Sequence, residues 1–205
     1  MAALRRHAVI AIGGITCTLA ATLLFGWWQV DGPGAPRPSV HPSALPLSFD
    51  EMDFQLINHF GRKVGPKTWI GRPTLAFFGF TYCPDVCPTT LSHITKWLDG
   101  LGGDTSQFQT AFITVDPARD TVQEMATYVS NFHSSVVGYT GSSKQISEAA
   151  KGFNVTYQRV STKDSYTMNH TAGVFVYDAS GKFVSIIDYH EPLENAVPKI
   201  LRALR

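Results

Sequence analysis

The stretch Leu75-Ala76-Phe77-Phe78-Gly79-Phe80-Thr81-Tyr82-Cys83-Pro84-Asp85-Val86-Cys87-Pro88-Thr89-Thr90-Leu91 decides how the rest of the chain is read. Leu75 to Phe80 is an unbroken apolar run and predicts a buried strand of a parallel or mixed sheet, because a strand covered on both faces has no polar side. Cys83 and Cys87 follow at once, and an amphipathic helix begins there with Leu91, Ile94, Leu98 and Leu101 on one face. Pro88 suits the first helical turn, where its missing N–H would have been unpaired anyway. The free amides at that end favour thiolate over thiol, the form that attacks disulfides or binds metal. A spacing of four puts both sulfurs on one side of a helical turn, within reach of a disulfide or of one soft metal ion. The plain alternative is a structural disulfide or two packed core thiols. A strand-to-helix junction, however, is where open sheets place ligands, and cysteines four apart close a loop too small to stabilise a fold much. The pair alone leaves redox and metal chemistry both open.

Around this centre strands and helices alternate. Phe54 to Asn58 and Arg62 to Val64 form a hairpin turning at Gly61, and Thr110 to Val115 is the strand after the cysteine helix. A helix over Thr121 to Phe132 opens with a capping box, Thr121 and Glu124, and buries Val122, Met125, Val129 and Phe132. Val136 to Thr140 is a short strand, a helix runs from about Ser143 to near Gly152, and Val155 to Val160 is extended. Val174 to Asp178 and Phe183 to Ile187 flank Ala179-Ser180-Gly181 as a hairpin, and the last helix carries Val197, Ile200, Leu201 and Leu204. The expected fold class is an α/β sandwich with an added N-terminal β-hairpin.

Residues 1–7 are short and basic, with Arg5 and Arg6 ahead of a 23-residue run, Ala8 to Val30, that contains no charge. Residues 8–30 are therefore read as one transmembrane anchor in contact with membrane lipid, the arginines cytoplasmic and Trp27 and Trp28 at the far interface. Phe25, Trp27 and Trp28 fit a cleaved signal peptide poorly. Cys17 falls mid-span after Gly14-Ile15-Thr16, a poor lipidation context. Residues 31–46 hold five prolines and form an extended linker. Residues 47–205 are the size of one domain with an ample core. The formal net charge is +1 with both signs scattered, so no basic stripe calls for nucleic acid.

Phe78-Gly79-Phe80-Thr81-Tyr82-Cys83-Pro84-Asp85-Val86-Cys87-Pro88 resembles the Sco (SenC, PrrC) family, thioredoxin-like copper chaperones of cytochrome c oxidase assembly. The likeness extends to Val115-Asp116-Pro117 with Arg119-Asp120-Thr121, and to Tyr166 and His170 ahead of Val176-Tyr177-Asp178. It implies a thioredoxin-like fold in which Cys83, Cys87 and His170 bind one copper ion, Cu(I) or Cu(II). Asn169 departs from the family, whose members often carry an acidic residue before that histidine, which implies less negative charge near the metal.

The donor chemistry agrees. Thiolates suit Cu(I), an imidazole suits either oxidation state, and three protein ligands leave an open position through which a recipient can enter. Structural zinc normally wants four protein ligands and no second CxxC is present, and no CxxCH exists to hold c-type haem. Among the histidines, His93 lies about 240° around the helix from Cys87 and faces away. His59 is placed in a hairpin turn, His133 at a helix end and His190 after the last strand. His170 sits after a polar loop, Asp164 to Asn169, that could reach the cysteines; geometry permits this histidine and the resemblance selects it. Asp116 and Asp120 read as turn and helix-start residues.

Two functions compete. The first is copper delivery to the dinuclear copper site of cytochrome c oxidase subunit II or a similar recipient, after loading by an upstream donor. The second is thiol–disulfide exchange through Cys83 and Cys87 as a redox-active pair that keeps the recipient's cysteines reduced. Redox or copper sensing is a third, and a peroxidase is disfavoured because nothing suggests a peroxide pocket. With no long Arg- and Ser-rich leader, the expected location is a bacterial inner membrane, the domain from residue 47 lying in the periplasm.

Overall fold

In the computed structural model, residues 21–26, 45–101 and 107–205 are described. The chain divides into two compact units, Met1–Ser43 and Ala44–Arg205. Of the first, residues 21–26 are helical and exposed; the rest of the expected membrane span and nearly all of the linker lie outside the described residues. Among the described residues, no helix is long and apolar enough to cross a membrane.

The second unit is built on a seven-stranded sheet in the order β2-β1-β5-β4-β3-β8-β9. Its strands are β1 (Leu56–Asn58), β2 (Lys63–Val64), β3 (Thr74–Gly79), β4 (Gln109–Thr114), β5 (Val136–Thr140), β8 (Val174–Tyr177) and β9 (Phe183–Ile187). β3, β4 and β5 run parallel, with Phe77 opposite Phe112 and Ile113 opposite Tyr139, while β8 and β1 flank them antiparallel. β3 and β4 are buried at every position, as the unbroken apolar run demands. Successive side chains take opposite faces. Phe78 joins an aromatic cluster with Phe153 and Phe175, centroids 5.1 and 6.4 Å away, whereas Phe77 lies against Phe112 at 5.9 Å, which in turn stacks on Tyr128. Phe49, stacked on Tyr177 at 4.2 Å, and Trp69, edge-on to Phe49 at 5.3 Å, complete the first cluster. Each such ring removed from water contributes about 2–3 kcal/mol.

Among the described residues, four helices pack with the sheet: α1 (Val86–Gly100), α2 (Val122–Val129), α3 (Ser143–Gly152) and α4 (Leu193–Arg202). α1 buries Leu91, Ile94 and Leu98 as its spacing requires, together with Trp97. α2 packs through Met125 and Val129 onto Gly138 of β5, where a Cβ would come within 3.1 Å of both side chains.

Several expectations need correction. The reciprocal capping box falls at Ser142 and Gln145 of α3; at α2 Thr121 accepts from the Glu124 amide at 3.2 Å without a return bond. α2 ends at Val129, leaving Phe132 outside it and Val122 only half-buried. α4 faces the core with Ala196 and Ile200, followed by Ala203, and leaves Leu201 and Leu204 exposed. The first hairpin is shorter than expected, because Phe54 packs against Trp69 in the core instead of entering the ladder.

The largest correction concerns Asp164 to His170. Tyr166–His170 is a strand, β7, paired antiparallel with β6 (Tyr157–Ser161), with Tyr157 opposite His170 and Ser161 opposite Tyr166. This ribbon is a separate two-stranded sheet, and its high polarity made half of it read as loop.

Candidate metal and thiol centre

The site begins at the carboxyl end of β3. Cys87 lies in the first turn of α1 and is fully buried, while Cys83 in the preceding loop is half-buried. Both are free thiols. Asp85, the residue before α1, makes no side-chain cap. Instead the Cys87 amide donates to Cys83 Sγ at 3.4 Å, so a sulfur takes the place of a capping oxygen. Pro88 comes next and has no N–H to satisfy. The Cys83 thiol is lowered from an ordinary 9.0 to about 5, chiefly because the Cys87 thiol donates toward it, with the Cys87 and Asp85 amides and nearby His170 adding to the effect against partial burial. Cys87 is pushed strongly up, because it serves as that donor and because it is buried. The pair is thus divided into an accessible thiolate and a buried, protonated thiol.

Gly79 is what admits Cys87. A Cβ there would lie 2.9 Å from Cys87 Sγ and 2.8 Å from the Phe112 ring. The sequence carried the signal, since a glycine inside an apolar strand marks a close approach.

His170 reaches the site from β7. Its Nε2 lies 3.8 Å from Cys87 Sγ, and its Nδ1 is 2.9 Å from the Thr171 carbonyl. A carbonyl can only accept, so Nδ1 carries the proton and the Nε2 lone pair faces the sulfur. Phe77 and Phe80 meet the imidazole edge-on at 6.4 and 5.9 Å. The structure therefore brings His170 to Cys87, but from a strand and not from a loop. Among the described residues the other histidines are engaged elsewhere: His59 with the Gly138 amide at 3.0 Å, His93 with the Tyr189 carbonyl at 3.2 Å, His133 with Ser135 at 2.9 Å and His190 against the Tyr189 ring at 3.6 Å. Asn169 is exposed, on the face of β7 opposite to His170, so the missing acidic charge does not face the thiols. Among the described residues, no group of three or more His, Cys, Asp or Glu side chains stands as a preformed metal cage.

The two aspartates form the floor. Asp120 is fully buried and accepts from the Thr81 amide at 3.1 Å, the Thr81 hydroxyl at 2.6 Å and the Thr114 hydroxyl, which fixes the cysteine loop to the end of β4. Burial raises its carboxyl and these hydrogen bonds oppose the rise. Asp116 pairs with Arg119 and accepts from the Tyr166 hydroxyl at 3.0 Å. Sequence reasoning gave no role to Arg119, quoted there only within the family likeness; its guanidinium lies 3.8 Å over the Tyr166 ring and 4.7 Å from Tyr82.

A thioredoxin-like domain with a split dithiol at the end of its central strand and an imidazole brought in from a ribbon defines a class of thiol and soft-metal proteins. Residues 47–205 match SCO1/SenC, and the chain belongs to that family. It is 35% identical over 190 residues to the mitochondrial SCO2 homolog of Danio rerio, covering 86% of this chain and 67% of that protein. The copper-bound structure of Bradyrhizobium japonicum ScoI superposes with a TM-score of 0.69 at 38% identity, covering 78% of this chain and all of that one. Copper-bound ScoI of Arabidopsis thaliana gives 0.69 at 30% identity, over 73% of this chain and 94% of that one.

Proposed function

We propose that the chain binds one copper ion through Cys83, Cys87 and His170 and passes it to the dinuclear copper site of cytochrome c oxidase subunit II, from a periplasmic domain tethered by residues 8–30. The observation that carries this reading is the His170 Nε2 lone pair facing Cys87 Sγ at 3.8 Å while Nδ1 is held by the Thr171 carbonyl. That arrangement fixes the tautomer a metal ligand needs. Two sulfurs and one imidazole fit Cu(I), and the copper-bound relatives support copper as the ion. Cys83 is already a thiolate, so binding has to displace only the Cys87 proton.

The split dithiol supports a second activity on the same residues. The Cys83 thiolate attacks one sulfur of a partner disulfide, forming a mixed disulfide and releasing the other partner sulfur as a thiolate. Cys87 then gives up its proton, with His170 Nε2 placed to take it, and attacks the Cys83 sulfur. An internal disulfide closes and the second partner thiolate leaves, so two electrons pass from the pair to the partner. Reduction of this kind would prepare a recipient's cysteines for copper.

The test is a Cu(I) titration of the reduced full chain against a competing chelator. One tightly bound ion per chain, weakened at least tenfold by His170→Ala and by Cys87→Ser, is the expected result. Weak binding by the wild type, in a chain that still reduces disulfides, would remove the copper role and leave the reductase.

A further inference from the structure

Arg119 stands in the turn between β4 and α2 and touches three parts of the site at once. Its Nε pairs with buried Asp116, and its Nη1 donates to the Tyr166 carbonyl at 3.1 Å. Its guanidinium is stacked between the ring of Tyr166 on the ribbon and that of Tyr82, the residue before Cys83. The Tyr166 hydroxyl returns to Asp116 at 3.0 Å, which closes a ring of contacts through Asp116, Arg119 and Tyr166. Nη2 is buried with no hydrogen-bond partner among the described residues; a guanidinium gives up such a bond more readily between aromatic faces, where stacking compensates.

Tyr157 and Met168 pack the ribbon against the core, and polar contacts fix it further. Hydrogen bonds tie the ribbon to the rest of the domain at Tyr166, whose carbonyl accepts from Arg119 and whose hydroxyl donates to Asp116, while His170 Nε2 faces Cys87 Sγ at 3.8 Å. Tyr166 and His170 project from the same face of β7, about 13 Å apart along the strand. Thr156 and Thr171 pair with each other at the base of the ribbon, so a contact at Tyr166, toward its far end, bears on its tilt and with it on the aim of the imidazole. Arg159 stacks on Tyr166 as well, at 3.6 Å, but it belongs to β6 and ties the ribbon only to itself.

We propose that Arg119 is a positioning residue for the copper and thiol centre: by joining Tyr82 of the cysteine loop to Tyr166 of the ribbon, it keeps Cys83 and His170 in register across the mouth of the site. This rests on the proposed reading of Cys83, Cys87 and His170 as one centre. Arg119→Lys keeps the charge beside Asp116 but loses both the stacking plane and the fork that reaches the Tyr166 carbonyl.

The experiment is amide hydrogen exchange on the copper-free full chain, followed by Cu(II) loading of the same samples. Arg119→Met should speed exchange in β6 and β7 by roughly tenfold or more relative to β3 and β4. In the Cu(II) form it should weaken the nitrogen coupling from His170 while keeping the thiolate-to-copper band, with Arg119→Lys between it and the wild type. Tyr166→Leu, which leaves the Asp116–Arg119 pair intact, should loosen the ribbon in the same way and serves if Arg119→Met does not fold. Unchanged ribbon exchange in both variants overturns the proposal whatever copper does, and so does an equal acceleration by Arg159→Met. A loosened ribbon in a protein whose wild type takes up no copper keeps the latch and removes only the copper function.

Discussion

The paired strands β3 and β4 and the paired strands β6 and β7 each supply part of one site, yet they are opposite kinds of structure. β3 and β4 are buried at every position, lie between other strands and deliver the thiols at their carboxyl end. β6 and β7 form a sheet of two, β6 mostly exposed and β7 mostly half-buried, and deliver His170. An isolated hairpin is marginal in water, so the ribbon keeps its place through contacts with the domain, Tyr157 and Met168 against the core and Tyr166 and His170 at the site, and not through a core of its own. The proposed copper role, in which an ion is held and then released, would gain from this division. The sulfurs sit at the buried strand–helix junction, whereas the imidazole is carried by a two-stranded ribbon outside the main sheet.

Truncations on the two sides should separate them most clearly. Phe77→Ala in β3 should cost about 3–5 kcal/mol, whereas Val160→Ala in the ribbon should stay within about 0.5 kcal/mol, both read by denaturant unfolding. Comparable losses would mean that the ribbon is part of the core after all. Gly79→Ala comes next. The added methyl meets Cys87 Sγ and the Phe112 ring at under 3 Å, neither of which has a flexible end to swing away, so a loss of about 1–3 kcal/mol is expected. The same substitution should disturb Cys83 alkylation, because Cys87 supplies the hydrogen bonds that hold the thiolate. Normal stability with normal thiol reactivity would show that the sheet end yields more easily than its packing implies.

The same contrast explains what could be read from the amino-acid sequence. The apolar run ending in Gly79 and Phe80, followed by two cysteines and a helix with a clear apolar face, located the sheet half of the site because burial writes itself as hydrophobicity. β7, with the sequence Tyr166-Thr167-Met168-Asn169-His170, holds polar residues on both faces, and periodicity could not distinguish it from a loop. Family likeness pointed to His170; no local pattern did. Arg119 stood in the family likeness without a role, for another reason: its partners lie 3 and 47 positions away, at Asp116 and Tyr166, and such an arrangement exists only after folding. The apolar face of α4 was misread because Ala196 and Ala203 make the buried contacts and small residues carry little hydrophobic signal.

The finest comparison concerns how the two halves share control of the Cys83 thiolate. Its rate of alkylation should rise with pH through a midpoint near about 5, against an ordinary 9.0. Because the unfolded chain keeps that proton up to its ordinary range and the folded chain does not, stability should climb as pH rises between those values. The contribution is complete above 9.0 and is lost as pH falls through about 5. The Cys87 thiol is the largest cause of the lowering and His170 the smallest. Cys87→Ala should therefore move the midpoint well upward, and His170→Ala should move it slightly in the same direction. Two equal displacements would mean that the ribbon governs thiol chemistry as much as the sheet does. A small one from His170→Ala leaves the thiolate a property of the strand–helix junction alone, available to attack or to bind whether the ribbon is latched or open.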